Sequence, residues 1–287
     1  MTDRSKPATQ TVDATPPRSS SGKKRFSVTN LPGFSGIAVA TFVMLYAPIV
    51  ILVIFSFNAS ETAAKWGGFS LKWYGVAWAN QQVRDAALNT LLIAVLAAIV
   101  ATIVATMAAL GTTRRGKFKG QTMIYVAINQ PLMVPEIVTA VALLIFFAVV
   151  KQATEYQGMA YLVAAHSAFC IPCAYLPIRA RLEGMDLSLE TAAADLYASP
   201  WQAFRRVTLP LLLPGMVAGM MLAFVTSLDD VVITMFVKSA GQDTLPTYML
   251  GQIRRQVTAE INAISTVLLL LTIVLLTLFY VLTRKKT

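Results

Sequence analysis

The chain alternates between long apolar runs and short polar interruptions. A helix crossing the hydrocarbon of a bilayer needs about 20 mostly apolar residues. Six stretches reach that length: 34–57, 86–110, 123–150, 159–178, 213–237 and 261–282. The pattern predicts an all-α integral membrane protein with six transmembrane helices. Ahead of the first run, residues 1–33 are polar and rich in Ser, Thr, Pro and Lys/Arg, the composition of a disordered tail. The first run carries no small-residue cleavage pattern and reads as an uncleaved anchor. Residues 58–83 then form an outer loop, 84–282 a core of five helices, and 283–287 a short basic end.

Composition supports this class. Of the 287 residues, 56% are hydrophobic and 13% charged, with mean hydropathy +0.63. Soluble domains carry about 25% charged residues. The net charge of +10 would point to nucleic acid in a soluble protein. Here its distribution gives another reason. The tail, the loop after the second run (Arg114, Arg115, Lys117, Lys119), the loop after the fourth (Arg179, Arg181, Arg205, Arg206) and the C-terminal end (Arg284, Lys285, Lys286) hold most of the 24 lysines and arginines. Those segments share one side of a six-span topology. The positive-inside rule puts that side, and both termini, in the cytoplasm. The charge faces anionic lipid headgroups, and no nucleic-acid partner is expected. Two cysteines imply no disulfide framework.

The longest inward loop, 179–212, has its own pattern. Ala192, Ala193 and Ala194 favour helix and keep side chains minimal, so another surface can approach the backbone closely. Ser199-Pro200-Trp201-Gln202 is a helix start, with Ser199 as N-cap, Pro200 at the first helical position and Gln202 completing a capping box. Trp201, Phe204 and Val207 fall near one face, Arg205 and Arg206 point elsewhere, and Pro210 ends the turn. Two short helices with a break at Ala198–Ser199 are therefore expected. Physical chemistry alone leaves two roles open: an amphipathic element on the membrane surface, or a docking element for another subunit.

Glu190 to Pro210 resembles the EAA motif of type I ABC importer permeases. The register is carried by Ala192, Ala193, Val207, Leu209 and Pro210, while Thr191 stands in the motif's Glu position, Glu190 one residue earlier, and Tyr197 in its Gly position. Further matches look like polyamine (spermidine/putrescine) importer permeases. They are Leu45-Tyr46-Ala47-Pro48, Phe55-Ser56-Phe57-Asn58, Lys72-Trp73-Tyr74, Pro135-Glu136-Ile137-Val138, His166 to Cys170, Ser227 to Val232, Leu245-Pro246 and Glu260-Ile261-Asn262-Ala263. The resemblance implies the type I permease fold, a second homologous permease, a dimer of ATP-binding subunits gripped by Glu190, Thr191, Ala192, Ala193, Ser199, Val207, Leu209 and Pro210, and a periplasmic binding protein. It implies a small cationic solute, putrescine or spermidine, with γ-aminobutyrate-like or opine-like compounds as alternatives.

Ionisable residues inside spans are costly and are functional candidates. Glu136 follows Pro135 early in the third run, and Asp229 and Asp230 lie within the fifth. Carboxylates suit ammonium groups, so these three are candidates for the substrate path. Capping of helix ends is the competing role. Adjacent helical residues point about 100° apart, so Asp229 and Asp230 cannot both face one path. His166, Cys170 and Cys173 share a helix face, but Pro172 interrupts them and packing is the expected role. Trp66, Trp73, Tyr74 and Trp78 read as an interfacial belt. No Walker A, G-x-S-x-G or H-E-x-x-H pattern occurs, so neither catalysis nor a cofactor is expected of this chain. An ion-coupled secondary transporter would use the same acids, and a membrane scaffold would not need them.

Overall fold

The computed structural model describes residues 34–61, 65–114, 116, 118–156, 158–255 and 258–284. The tail 1–33, Arg115, Lys117, Lys285 and Lys286 lie outside that set. The described residues form helices α1 (Phe34–Phe55), α2 (Lys72–Ala79), α3 (Gln81–Thr113), α4 (Gln121–Met133), α5 (Glu136–Thr154), α6 (Ala160–Glu183), α7 (Ser188–Asp195), α8 (Pro200–Ala203), a π-turn (Phe204–Thr208), α9 (Leu209–Leu228), α10 (Val232–Val237), α11 (Leu245–Ile253) and α12 (Ala259–Arg284). Among the described residues, six helices are long and apolar enough to cross a membrane.

Two compact units divide the chain, 1–50 and 51–287. In the first, α1 stacks the Phe42 and Tyr46 rings one turn apart, with centroids at 6.2 Å. In the second, α3, α6 and α9 pack against one another. Ala98, Ala101, Ala105 and Ala109 recur at helical spacing on α3 and meet Ala174, Tyr175 and Ile178 of α6 and Leu212 and Ala223 of α9. Lipid tails are as apolar as a leucine side chain, so close packing of small residues drives helix association in a bilayer. Gly219 shows how close that packing is. A Cβ there would lie 2.6 Å from the Ala174 carbonyl oxygen, so any larger residue forces α9 away from α6.

Prolines account for one departure from the predicted spans and for two from the roles expected of them. The run 123–150 is two helices, α4 and α5, because Pro135 has no N–H and pushes Val134 into extended backbone (φ −94°, ψ 141°). Pro210 does not end a turn. It lies in the first turn of α9, and the helix runs unbroken from Pro200 to Leu228. Just ahead of it the ladder widens, with the Leu209 N–H bonding the Phe204 carbonyl five residues back. Pro172 does not interrupt α6, which continues through both Pro172 and Pro177.

The fifth run is also shorter than its apolar content suggests. α9 stops at Leu228, so Asp229 and Asp230 sit in a helix break and not within a helix. The aromatic belt divides as well. Trp78 is 78% exposed, whereas Trp73 is buried against Ala259 and Ala263 and donates its indole N–H to the Asn58 carbonyl at 2.9 Å.

Candidate functional site

Two places carry the chemistry singled out in the sequence. The first is the loop between α6 and α9. Asp186 opens it by accepting the Ser188 N–H at 2.9 Å, which holds this exposed carboxyl below the ordinary carboxylate range. α7 ends in a Schellman motif: the Tyr197 N–H bonds Ala194 O at 2.9 Å and the Ala198 N–H bonds Ala193 O at 3.0 Å. The left-handed residue such a motif requires is Tyr197 itself, at φ 57°. A tyrosine thus performs the turn that glycine performs in the motif it resembles. Ser199 then caps α8. Its hydroxyl accepts the Gln202 N–H at 3.4 Å, and the Gln202 side chain accepts the Ser199 N–H at 2.9 Å, the capping box expected from the sequence.

Glu190 turns inward from α7. It pairs with the Arg114 guanidinium at 3.0 Å and accepts the Thr208 hydroxyl at 2.9 Å. Arg114 also reaches the Leu182 carbonyl at 3.5 Å. The Arg114–Glu190 pair therefore connects the ends of α3 and α6, the first loop helix and the π-turn. Thr191 is exposed and donates back to Leu187 O at 3.2 Å. Ala192 and Pro210 are exposed; Ala193, Val207 and Leu209 are half-buried. The outer face of the loop is apolar, with Leu196 at 81%, Tyr197 at 97% and Trp201 at 65% exposure, and Trp201 stacks on Phe204 at 5.6 Å.

The second place is the junction of two helix breaks. The first turn of α5 carries Glu136, which lies beside Asp230 and Asp229. Packing of α5 against α10 brings these breaks together. Asp230 is buried. It accepts the Thr234 N–H at 2.9 Å, the Ile233 N–H at 3.3 Å and the Thr234 hydroxyl at 2.9 Å, so it caps α10. Asp229, one residue away, is exposed. Ala140 and Phe147 of α5, Leu162 and Ala165 of α6 and Ile233 of α10 pack into one hydrophobic cluster that joins these helices. His166 is a satisfied buried residue, as expected for packing, held by Ser227 at 2.8 Å and Thr234 at 3.0 Å. Cys170 and Cys173 on the same face approach Ala223 O and the Thr226 hydroxyl.

Sequence reasoning missed Arg114 and Thr208 as partners of Glu190, and Thr234 as the residue through which His166 meets Asp230. No local pattern announces such pairs, because their members lie on different helices.

Residues 101–285, which span the loop, α5 and both breaks, match the family described as binding-protein-dependent transport system inner membrane component. The chain belongs to that family. It is thus a multi-pass component of the inner membrane. This binding-protein-dependent permease is 37% identical over 231 residues to the putrescine transport system permease protein PotI of Escherichia coli K12, covering 79% of this chain and 82% of that one. It is 38% identical over 242 residues to the spermidine/putrescine transport system permease protein PotC of Haemophilus influenzae, covering 84% and 93%. The fold matches a chain of a bacterial ABC transporter importing the polysaccharide alginate, with TM-score 0.67 at 15% identity over 88% of this chain and 93% of that one. It also matches a chain of the MetNI methionine ABC transporter, with TM-score 0.61 at 19% identity over 74% and 98%.

Proposed function

We propose that this permease passes a small cationic solute, a polyamine such as putrescine or spermidine, through the membrane-spanning part of an ATP-driven importer. The observation that carries the reading is the gathering of Glu136, Asp229 and Asp230 where the helices α4–α5 and α9–α10 are interrupted. Intramembrane acids are rare because they are costly, and an elongated diammonium ion offers matching charges to those that face the path. The relatives' names, putrescine and spermidine permeases, point to the same solutes.

In this reading residues 84–282 form the transport core, with both chain ends and the coupling loop 179–212 on the cytoplasmic side. The loop presents Thr191, Ala192, Ala193, Ser199, Val207, Leu209 and Pro210 to one subunit of an ATPase dimer, which alone hydrolyses ATP, while Glu190 braces the loop from its inner side through Arg114 and Thr208. Its exposed apolar face, Leu196, Tyr197 and Trp201, is the surface a docking cleft would cover. The continuous helix from Pro200 to Leu228 carries movement of α8 to the acid cluster at its far end. A second homologous permease completes the path, a periplasmic binding protein delivers solute, and lipid headgroups hold the basic side.

Uptake of radiolabelled putrescine by the reconstituted transporter tests this. Glu136→Gln and Asp229→Asn should each weaken uptake about tenfold, the scale of one lost charged contact. Ala193→Trp should leave ATP hydrolysis running without transport. Undiminished uptake in all amide variants, or normal coupling with tryptophan at 193, would reject the corresponding half of the proposal.

A further inference from the structure

His166 is the only histidine of the chain, and it is 1% exposed among α6, α9 and α10. With Asp230 an ionised carboxylate and the ring neutral, the hydrogen bonds around it favour one tautomer. The Thr234 hydroxyl has a single proton, which it gives to Asp230 Oδ2 at 2.9 Å. Towards the ring, 3.0 Å away, Thr234 can therefore only accept. So Nε2 bears the proton, and it also lies 3.5 Å from Asp230 Oδ2. The Nδ1 lone pair then accepts the Ser227 hydroxyl at 2.8 Å. Ser227 belongs to the last turn of α9, Thr234 to the first turn of α10, and Asp230 to the break between them. One imidazole ties both flanks of the break to α6 with every polar atom matched.

The consequence falls on the neighbouring acid. Asp230 receives two backbone N–H groups and a hydroxyl, and its burial leaves it facing protein. Asp229 accepts none of these donors and is exposed. We propose that His166 is a positioning residue: with Ser227 and Thr234 it locks Asp230 as the cap of α10, and this lock presents Asp229, with Glu136, to the transported amine. The inference rests on reading the acid cluster as part of the substrate path. It goes further by separating one acid that binds from one that builds.

A cap needs acceptors, not a charge; Asp230 accepts with both carboxylate oxygens, and asparagine keeps only one of them, so Asp230→Asn loosens the cap without changing what Asp229 offers an amine. An ammonium contact needs the charge. The test is putrescine uptake by the full reconstituted transporter, read as half-saturating concentration and maximal rate, in variants matched for assembled complex. Asp230→Asn, which loses one of the two accepting oxygens, should lower the midpoint of thermal unfolding and raise the half-saturating concentration less than Asp229→Asn does. Asp229→Asn should raise the half-saturating concentration about tenfold or more. His166→Gln still places an N–H near the Nε2 position and should stay near the parent, whereas His166→Leu should raise the half-saturating concentration as Asp229→Asn does. If the leucine variant does not assemble, rescue by glutamine and the contrast between the two asparagine variants decide. Equal loss in Asp229→Asn and Asp230→Asn, or a glutamine variant as poor as leucine, overturns the inference and leaves the path reading standing. Undiminished uptake in Glu136→Gln, Asp229→Asn and Asp230→Asn removes the path reading as well.

Discussion

The two interruptions at either end of the long Pro200–Leu228 helix use different materials. At Leu196–Ser199 the chain turns on its own backbone: a Schellman motif closes α7, Tyr197 takes the left-handed conformation, and Ser199 with Gln202 starts α8. All the groups involved lie within a few residues of one another, and water is available to any that fail. At Asp229–Val231 the buried residue is Asp230; its carboxylate is satisfied by the first turn of α10, and His166 of α6 ties the flanking Ser227 and Thr234 together. An unmatched polar group there has no water to turn to. An exposed break can thus be local and leave its outer face free for a partner, whereas a buried break needs a network drawn from distant parts of the chain.

The comparison can be pressed from its buried side first. Thr234→Val removes the hydroxyl that serves both Asp230 and His166, leaving the buried imidazole without its 3.0 Å partner and Asp230 with its two backbone donors alone. It should destabilise the protein by about 1–3 kcal/mol, seen as a lower midpoint of thermal unfolding in detergent. An unchanged midpoint would show that the buried break does not depend on its network. At the exposed break, Tyr197→Gly removes the left-handed strain of a side-chain-bearing residue and should be stabilising by about 1 kcal/mol. Slower amide exchange in α7 would register it, and faster exchange would count against Tyr197 being strained. Ser199→Ala deletes the cap of α8 and should cost about 1 kcal/mol. That loss should appear as faster exchange of the Gln202 amide with no change at Thr234, and coupled changes at both breaks would contradict their independence.

Legibility in the sequence followed the same division. Ser199, Pro200 and Gln202 announced the start of α8 because capping is chemistry among near neighbours. Pro210 and Pro172 misled, since a proline marks a freed carbonyl but not whether the surrounding helices tolerate it. The run 123–150 concealed the α4–α5 break, because hydropathy averages over a kink that leaves composition apolar. Glu136, Asp229 and Asp230 stood out as acids among apolar residues, yet their convergence required α5 to pack on α10. The inward turn of Glu190 to Arg114 was invisible because its partner sits at the end of another span.

Taken alone, the sequence determined the class of the protein, the number of its spans, the capped loop and the identity of the acids, because length, hydropathy and capping are properties of contiguous residues. The tertiary structure decided which apolar runs break, that Tyr197 takes the left-handed turn, and that Asp230 is enclosed while Asp229 is open. Those outcomes depend on which helices meet. In a membrane the meeting is settled by close contacts such as Gly219 against Ala174, and by where buried polar groups can find one another.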